Sequence, residues 1–201
     1  MSGKKNIYFV HIPRNAGEFI KKNYGYAFYT SDDFGLDKHA KFKDSPVSVV
    51  PFTIVRNPYE RLESLYYSEK NKKHDMSDEF FPEFETYIKK RLFEKETLSD
   101  RIGKGNQNKV VAKRTILEGL VLEPQSRYTG DIPRENILYI SDIKKELSLF
   151  LNKNDIEIGD DWSKVNATKS RSHGGWTSQM QSIVRDYFRN DFEAYGFDNV
   201  I

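Results

Sequence analysis

Cysteine is absent from the 201 residues, which excludes disulfides, thiolate zinc sites and thiol nucleophiles. Long apolar runs are missing as well. The start, Met1-Ser2-Gly3-Lys4-Lys5-Asn6, leads into only four consecutive apolar residues, Ile7, Tyr8, Phe9 and Val10, too few for the core of a signal peptide. No stretch approaches the roughly 18 apolar residues of a membrane helix, so the expectation is a cytoplasmic chain without a membrane segment. An excess of one charge is lacking too: 32 basic against 30 acidic side chains give a net charge of +2. That balance excludes a protein whose business is coating nucleic acid, yet leaves room for a local basic site. No internal repeat or Pro/Ser-rich linker divides the sequence, so one domain over residues 1–201 is expected.

Apolar residues make up 37% of the chain, below the usual value of about 45–50%, and the surface must be correspondingly polar. The core material is aromatic, with 14 Phe, 12 Tyr and 2 Trp, rings whose burial offsets chain entropy. Ile7-Tyr8-Phe9-Val10-His11 has the composition of a strand and is followed by a turn over 12–17 and a short helix over 18–24. Val49-Val50-Pro51-Phe52-Thr53-Ile54-Val55 is a second buried strand, with Pro51 near its beginning where a missing N–H is tolerated. Asn57-Pro58 supplies an N-cap and a first-turn proline for a helix to about residue 70. Helical spacing of Phe80, Phe84, Tyr87, Ile88 and Leu92 predicts a helix over 77–93, and a shorter one is predicted over 110–122; both are expected at the periphery. Ile137-Leu138-Tyr139-Ile140 is a third strand, after which Asp142 can cap a helix to about residue 151. Trp176, Met180, Ile183, Val184, Tyr187 and Phe188 form one face of a last helix running to about residue 192. This alternation predicts an α/β fold with a central, mainly parallel sheet flanked by helices.

In such a sheet ligands bind outside the carboxyl ends of the strands, and two loops there have the chemistry of anion sites. His11-Ile12-Pro13-Arg14-Asn15-Ala16-Gly17 leaves the first strand and leads into a helix, so that backbone N–H groups, the helix N-terminus and the forked cation of Arg14 converge. Arg56-Asn57-Pro58-Tyr59-Glu60-Arg61-Leu62-Glu63-Ser64 puts Arg56 at the end of the second strand and Ser64 about two turns into the next helix. The first loop is not a P-loop, which needs a second glycine and Gly-Lys-Ser/Thr. Two anion sites on two strand ends suit one ligand with two separated phosphate groups.

His-Ile-Pro-Arg-Asn-Ala-Gly resembles the HIPKTAG phosphosulfate-binding loop of the sulfotransferases, in particular the heparan/chondroitin-type carbohydrate branch. The run from Ile54 to Tyr66 resembles that family's 3′-phosphate-binding segment, in which an arginine and a serine eight positions later bind the 3′-phosphate of 3′-phosphoadenosine 5′-phosphosulfate (PAPS). Pro124-Gln125-Ser126-Arg127-Tyr128 and the ending Tyr187 to Phe197 are similar to family segments at corresponding positions. The resemblance implies a P-loop-like nucleotide fold and a PAPS-dependent transfer of a sulfuryl group to a hydroxyl acceptor, a carbohydrate, without a metal. Arg14, Asn15, Ala16 and Gly17 would hold the 5′-phosphosulfate, and Arg56 and Ser64 the 3′-phosphate. Lys169 and Arg171, in Lys169-Ser170-Arg171-Ser172-His173-Gly174-Gly175, would fold over the nucleotide. Two departures from the family pattern stand in the first loop. Arg14 occupies the usual lysine position, so it can position and stabilise charge but cannot protonate a leaving group. Glu18-Phe19 replaces small hydroxyl residues, and a carboxylate aimed inward would repel the donor.

Sulfuryl transfer needs alignment, charge stabilisation and a base for the acceptor hydroxyl. Asp37-Lys38-His39-Ala40-Lys41-Phe42 resembles the family segment that carries a base histidine, and His39 is the expected base, Glu18 the alternative. His11 is read as a structural hydrogen bonder, His74 as solvated, and Tyr59, Tyr66 and Tyr67 as helix packing. Residues 101–117 and 163–185 contain no acids, a pattern that usually marks a solvated face. The rival readings are a nucleotide-binding module of the same fold without turnover, and a P-loop-like kinase.

Overall fold

The structure, a computed structural model, describes residues 4–44, 48–70, 83–94, 119–156 and 175–197. In chain order the elements are β1 (Ile7–Val10), α1 (Gly17–Tyr24), β2 (Val50–Val55), α2 (Pro58–Lys70), α3 (Phe84–Ile88), α4 (Ser126–Thr129), β3 (Ile137–Tyr139), α5 (Ile143–Lys153), α6 (Ser178–Tyr187) and α7 (Arg189–Tyr195). They divide between two compact units, Met1–Arg56 with Gln125–Ser170, and Asn57–Pro124 with Arg171–Ile201. Among the described residues no helix is long and apolar enough to cross a membrane.

The first unit is an α/β structure around a parallel sheet of order β1-β2-β3. All four residues of β1 are buried, as expected of a parallel strand covered on both faces. Pro51 is the second residue of β2, and the pairing runs from Ile7↔Val50 to Val10↔Thr53. The outer edge of β1 is covered by residues 27–29: Phe9 N–H donates to the Tyr29 carbonyl at 2.9 Å, and Tyr29 N–H donates to Ile7 at 2.8 Å. That satisfies groups a bare edge would offer to another chain. Phe52 is the hub of the core, 5.1 Å from Phe9, 5.2 Å from Phe28 and 4.7 Å from Phe150 between ring centroids. α5 buries Ile143, Leu147, Phe150 and Leu151, one stripe at helical spacing. Asp142 stands at its N-cap position, as predicted, but its side chain makes no capping hydrogen bond.

The second unit is helical. α2 starts as its sequence predicts: Asn57 Oδ1 accepts from Tyr59 N–H at 3.0 Å, and the Asn57 carbonyl takes the first helical bond from Arg61 N–H at 3.0 Å. Tyr59 and Tyr66 pack into the core with Phe84, Tyr87, Met180, Val184 and Phe188. The expectation of a peripheral helix over 77–93 is corrected here. Its described part, α3 continued by a π-turn over Lys89–Phe93, lies at the heart of this core, with Ile88 wholly buried. The single last helix is corrected as well: α6 begins after Trp176, capped by Thr177 Oγ1 on Met180 N–H at 3.2 Å, and the chain turns at Phe188 into α7. The Phe188 carbonyl then takes both Asp191 N–H and Phe192 N–H. Arg61 is buried, its guanidinium donating to the carbonyls of Glu123 at 3.0 Å and Leu120 at 3.4 Å. It thereby serves the carbonyl end of the helical turn at 119–122, where a cation is favoured.

Candidate functional site in the first unit

The loop after β1 owes its shape to residues in uncommon backbone conformations. Asn15 N–H closes a turn on the Ile12 carbonyl at 3.4 Å, with Pro13 at the second position and Arg14, φ 69°, at the third. Proline second and positive φ third is the pattern of a type II turn, whose third position glycine normally fills. Ala16 is left-handed as well, with φ 60°, and its carbonyl takes the first bond of α1 from Ile20 N–H. Left-handed backbone at non-glycine residues costs about 1–3 kcal/mol each, and such outliers concentrate at functional sites. Gly17 is required by contact: a Cβ there would lie 1.9 Å from His11 Cδ2 and 2.0 Å from His11 Nε2.

Arg14 and Arg56, each half-buried, are brought together. Arg56 Nη1 donates to the Arg14 carbonyl at 3.5 Å. Asn15 is 1% exposed and points inward, its Nδ2 donating to the Ile54 carbonyl at 2.8 Å and to Gln125 Oε1 at 2.6 Å. Its side chain therefore braces the loop. Gln125, fully buried, also accepts from Arg56 N–H at 3.0 Å and donates to the Arg56 carbonyl at 2.8 Å. The sequence gives no role to Gln125; its only signal is its place in the Pro124-Gln125-Ser126-Arg127-Tyr128 segment.

His39 stands beside the same loop. Asp37 shapes its turn, Oδ1 accepting from His39 N–H at 2.9 Å, the local bond that makes aspartate a turn residue. His39 Nδ1 lies 3.3 Å from the His11 carbonyl. A carbonyl only accepts, so neutral His39 carries its proton on Nδ1 and its lone pair on Nε2. Burial lowers the His39 pKa, opposed in part by that carbonyl, and the ring is therefore neutral at physiological pH. The His11 and His39 rings are 4.7 Å apart, and Phe9 stacks on His11 at 5.9 Å. Glu18 points outward, exposed and ion-paired with Lys38.

His11 departs from its reading as a structural hydrogen bonder: its carbonyl serves His39, but its buried Nδ1 has no partner among the described residues. Burial, reinforced by His39, Lys38 and Lys21, pushes its pKa down to about 2. The unfolded chain takes up a proton near the ordinary histidine value of about 6.5 and the folded chain does not. Stability is therefore present above that pH and lost as pH falls below it. Between pH 7 and pH 5 one such group contributes a loss of about 2 kcal/mol. Urea unfolding at the two pH values measures it, and His11→Gln is expected to remove about that much of the difference.

Ser64 is buried on α2 in the second unit. Lys169, Arg171 and His74, the residues 101–117, and most of the predicted helix over 110–122 lie outside the described residues. Comparison with protein-family models, with curated proteins and with solved structures finds no match.

Proposed function

We propose that the chain is a PAPS-dependent sulfotransferase with a P-loop-like nucleotide fold, acting on a hydroxyl acceptor, a carbohydrate. The observation that carries this reading is the convergence of Arg14 and Arg56 from the ends of two neighbouring parallel strands, with a guanidinium nitrogen of one 3.5 Å from the carbonyl of the other. Two planar cations on adjacent loops suit phosphate groups at two positions of one ligand. The loop supports it too: positive φ at Arg14 and Ala16 leads the chain directly into α1 at Gly17, where the backbone N–H groups of the first turn favour an anion. Ser64 and the cationic Lys169 and Arg171 belong to the reading through the sequence pattern.

PAPS supplies the sulfuryl group and leaves as 3′-phosphoadenosine 5′-phosphate. Arg14 and the backbone of Ala16 and Gly17 hold the 5′ end and offset the charge that develops there. His39 Nε2 takes the acceptor proton as the acceptor oxygen bonds to sulfur and the bond from sulfur to the phosphate oxygen breaks. The surface ion pair of Glu18 with Lys38 supports His39 over Glu18 as the base and weighs against a module without turnover. The test is transfer of labelled sulfuryl from PAPS to a panel of carbohydrate and other hydroxyl acceptors. Labelled product is expected with a carbohydrate and without added metal; no product from any acceptor contradicts the reading.

A further inference from the structure

We infer that Gln125 is the positioning residue that fixes the spacing of the two arginine loops and so makes the site selective for a nucleotide phosphorylated at both ends; this rests on the proposed sulfuryl-transfer reading. The argument begins where the sheet stops. The last ladder pair is Val55↔Tyr139, so Arg56, one residue further, has no strand beside it to bond its main chain. Gln125 takes that place: its carboxamide accepts from Arg56 N–H at 3.0 Å and donates to the Arg56 carbonyl at 2.8 Å. A side-chain amide thus mimics the peptide group of a missing strand and holds Arg56 in extended continuation of β2.

The same Oε1 accepts from Asn15 Nδ2 at 2.6 Å, and Asn15 Nδ2 also donates to Ile54 at 2.8 Å. The residue after Arg14 and the main chain of Arg56 are therefore tied to one carboxamide. Gln125 is 0% and Asn15 1% exposed, so water does not replace these bonds when one is lost, and each lost bond leaves a further buried polar group unpaired. A ligand that touches one loop is indifferent to the distance between them. A ligand that bridges both is not.

The experiment is calorimetry on the full chain with three probes: 3′-phosphoadenosine 5′-phosphate, adenosine 5′-monophosphate and adenosine 3′-monophosphate. Gln125→Met, which keeps length and loses the amide, is expected to weaken the two-ended ligand by about tenfold or more and each one-ended ligand by less than about threefold. Gln125→Glu keeps the acceptor toward Arg56 N–H and Asn15 and loses the donor, and is expected to show the same selectivity loss at smaller size. Adding Asn15→Ala to either variant is expected to cost little more, because both residues act through one network. An equal loss for all three ligands would overturn the inference. Should the unaltered protein hold all three equally well, the sulfuryl-transfer reading fails instead, and hydrogen exchange of the Arg56 amide decides the clamp. Exchange at least about tenfold faster in the Gln125 variants supports it, and unchanged exchange overturns it.

Discussion

His39→Ala is expected to reduce sulfuryl transfer by about 100- to 10,000-fold, the usual contribution of a positioned base, while affinity for 3′-phosphoadenosine 5′-phosphate changes less than about twofold. The two readouts separate because the described contacts of His39 are with Asp37, through its backbone N–H, and with the His11 carbonyl and ring. None is with Arg14 or Arg56. The contact with the His11 carbonyl fixes which nitrogen carries the lone pair, so an unprotonated Nε2 is ready without a change of tautomer. A pH profile gives an independent check. The base works when neutral, and burial lowers its pKa. The rate is therefore expected to hold as pH falls through the ordinary histidine value of about 6.5 and to decline only below it. Near-normal turnover in His39→Ala would discard the assignment, and a decline centred above pH 6.5 or so would contradict the environment described for it.

Gly17→Ala is expected to destabilise the fold by about 1–3 kcal/mol, the usual cost of overpacking, and to abolish nucleotide binding. The added methyl would sit 1.9 Å from His11 Cδ2, so one of the two must move. The imidazole is held by its contacts with the rings of Phe9 and His39. The loop moves instead, taking with it the left-handed residues that set its shape. The cause is tested by relieving it: in a His11→Ala background, which opens the space, Gly17→Ala is expected to cost much less in urea unfolding than it does in the unaltered chain. An equal cost in both backgrounds would show that the glycine serves something other than this contact.

The parallel sheet was legible because Ile7 to Val10, Val50 to Val55 and Ile137 to Tyr139 are short apolar runs followed by turn or capping residues, a pattern that local chemistry alone produces. The start of α2 was legible for the same reason, since Asn57 and Pro58 act within one turn. The site was half legible. Arg14, Gly17 and Arg56 follow from loop position and residue type and His39 from the resemblance, but the reason for Gly17 is a ring six residues back, and Gln125 acts on Asn15 from 110 residues away. No local pattern announces a buried carboxamide that replaces a strand. The break at Phe188 was hidden by its own regularity: Met180, Val184, Phe188 and Phe192 keep a four-residue spacing through the turn between α6 and α7. The buried face is continuous where the backbone is not. Similarly, α3 and the π-turn after it look like an amphipathic surface helix in sequence, and long-range packing such as that of Tyr87 against Tyr66 at 5.1 Å places them inside.

The most direct measurement is magnesium-free calorimetric titration of the full chain with 3′-phosphoadenosine 5′-phosphate and with ATP. The account predicts that the 3′,5′-bisphosphate binds at least about tenfold more tightly than ATP, and that Arg14→Ala and Arg56→Ala each remove most of that preference. Equal affinities, or ATP binding that appears only with magnesium, would contradict it.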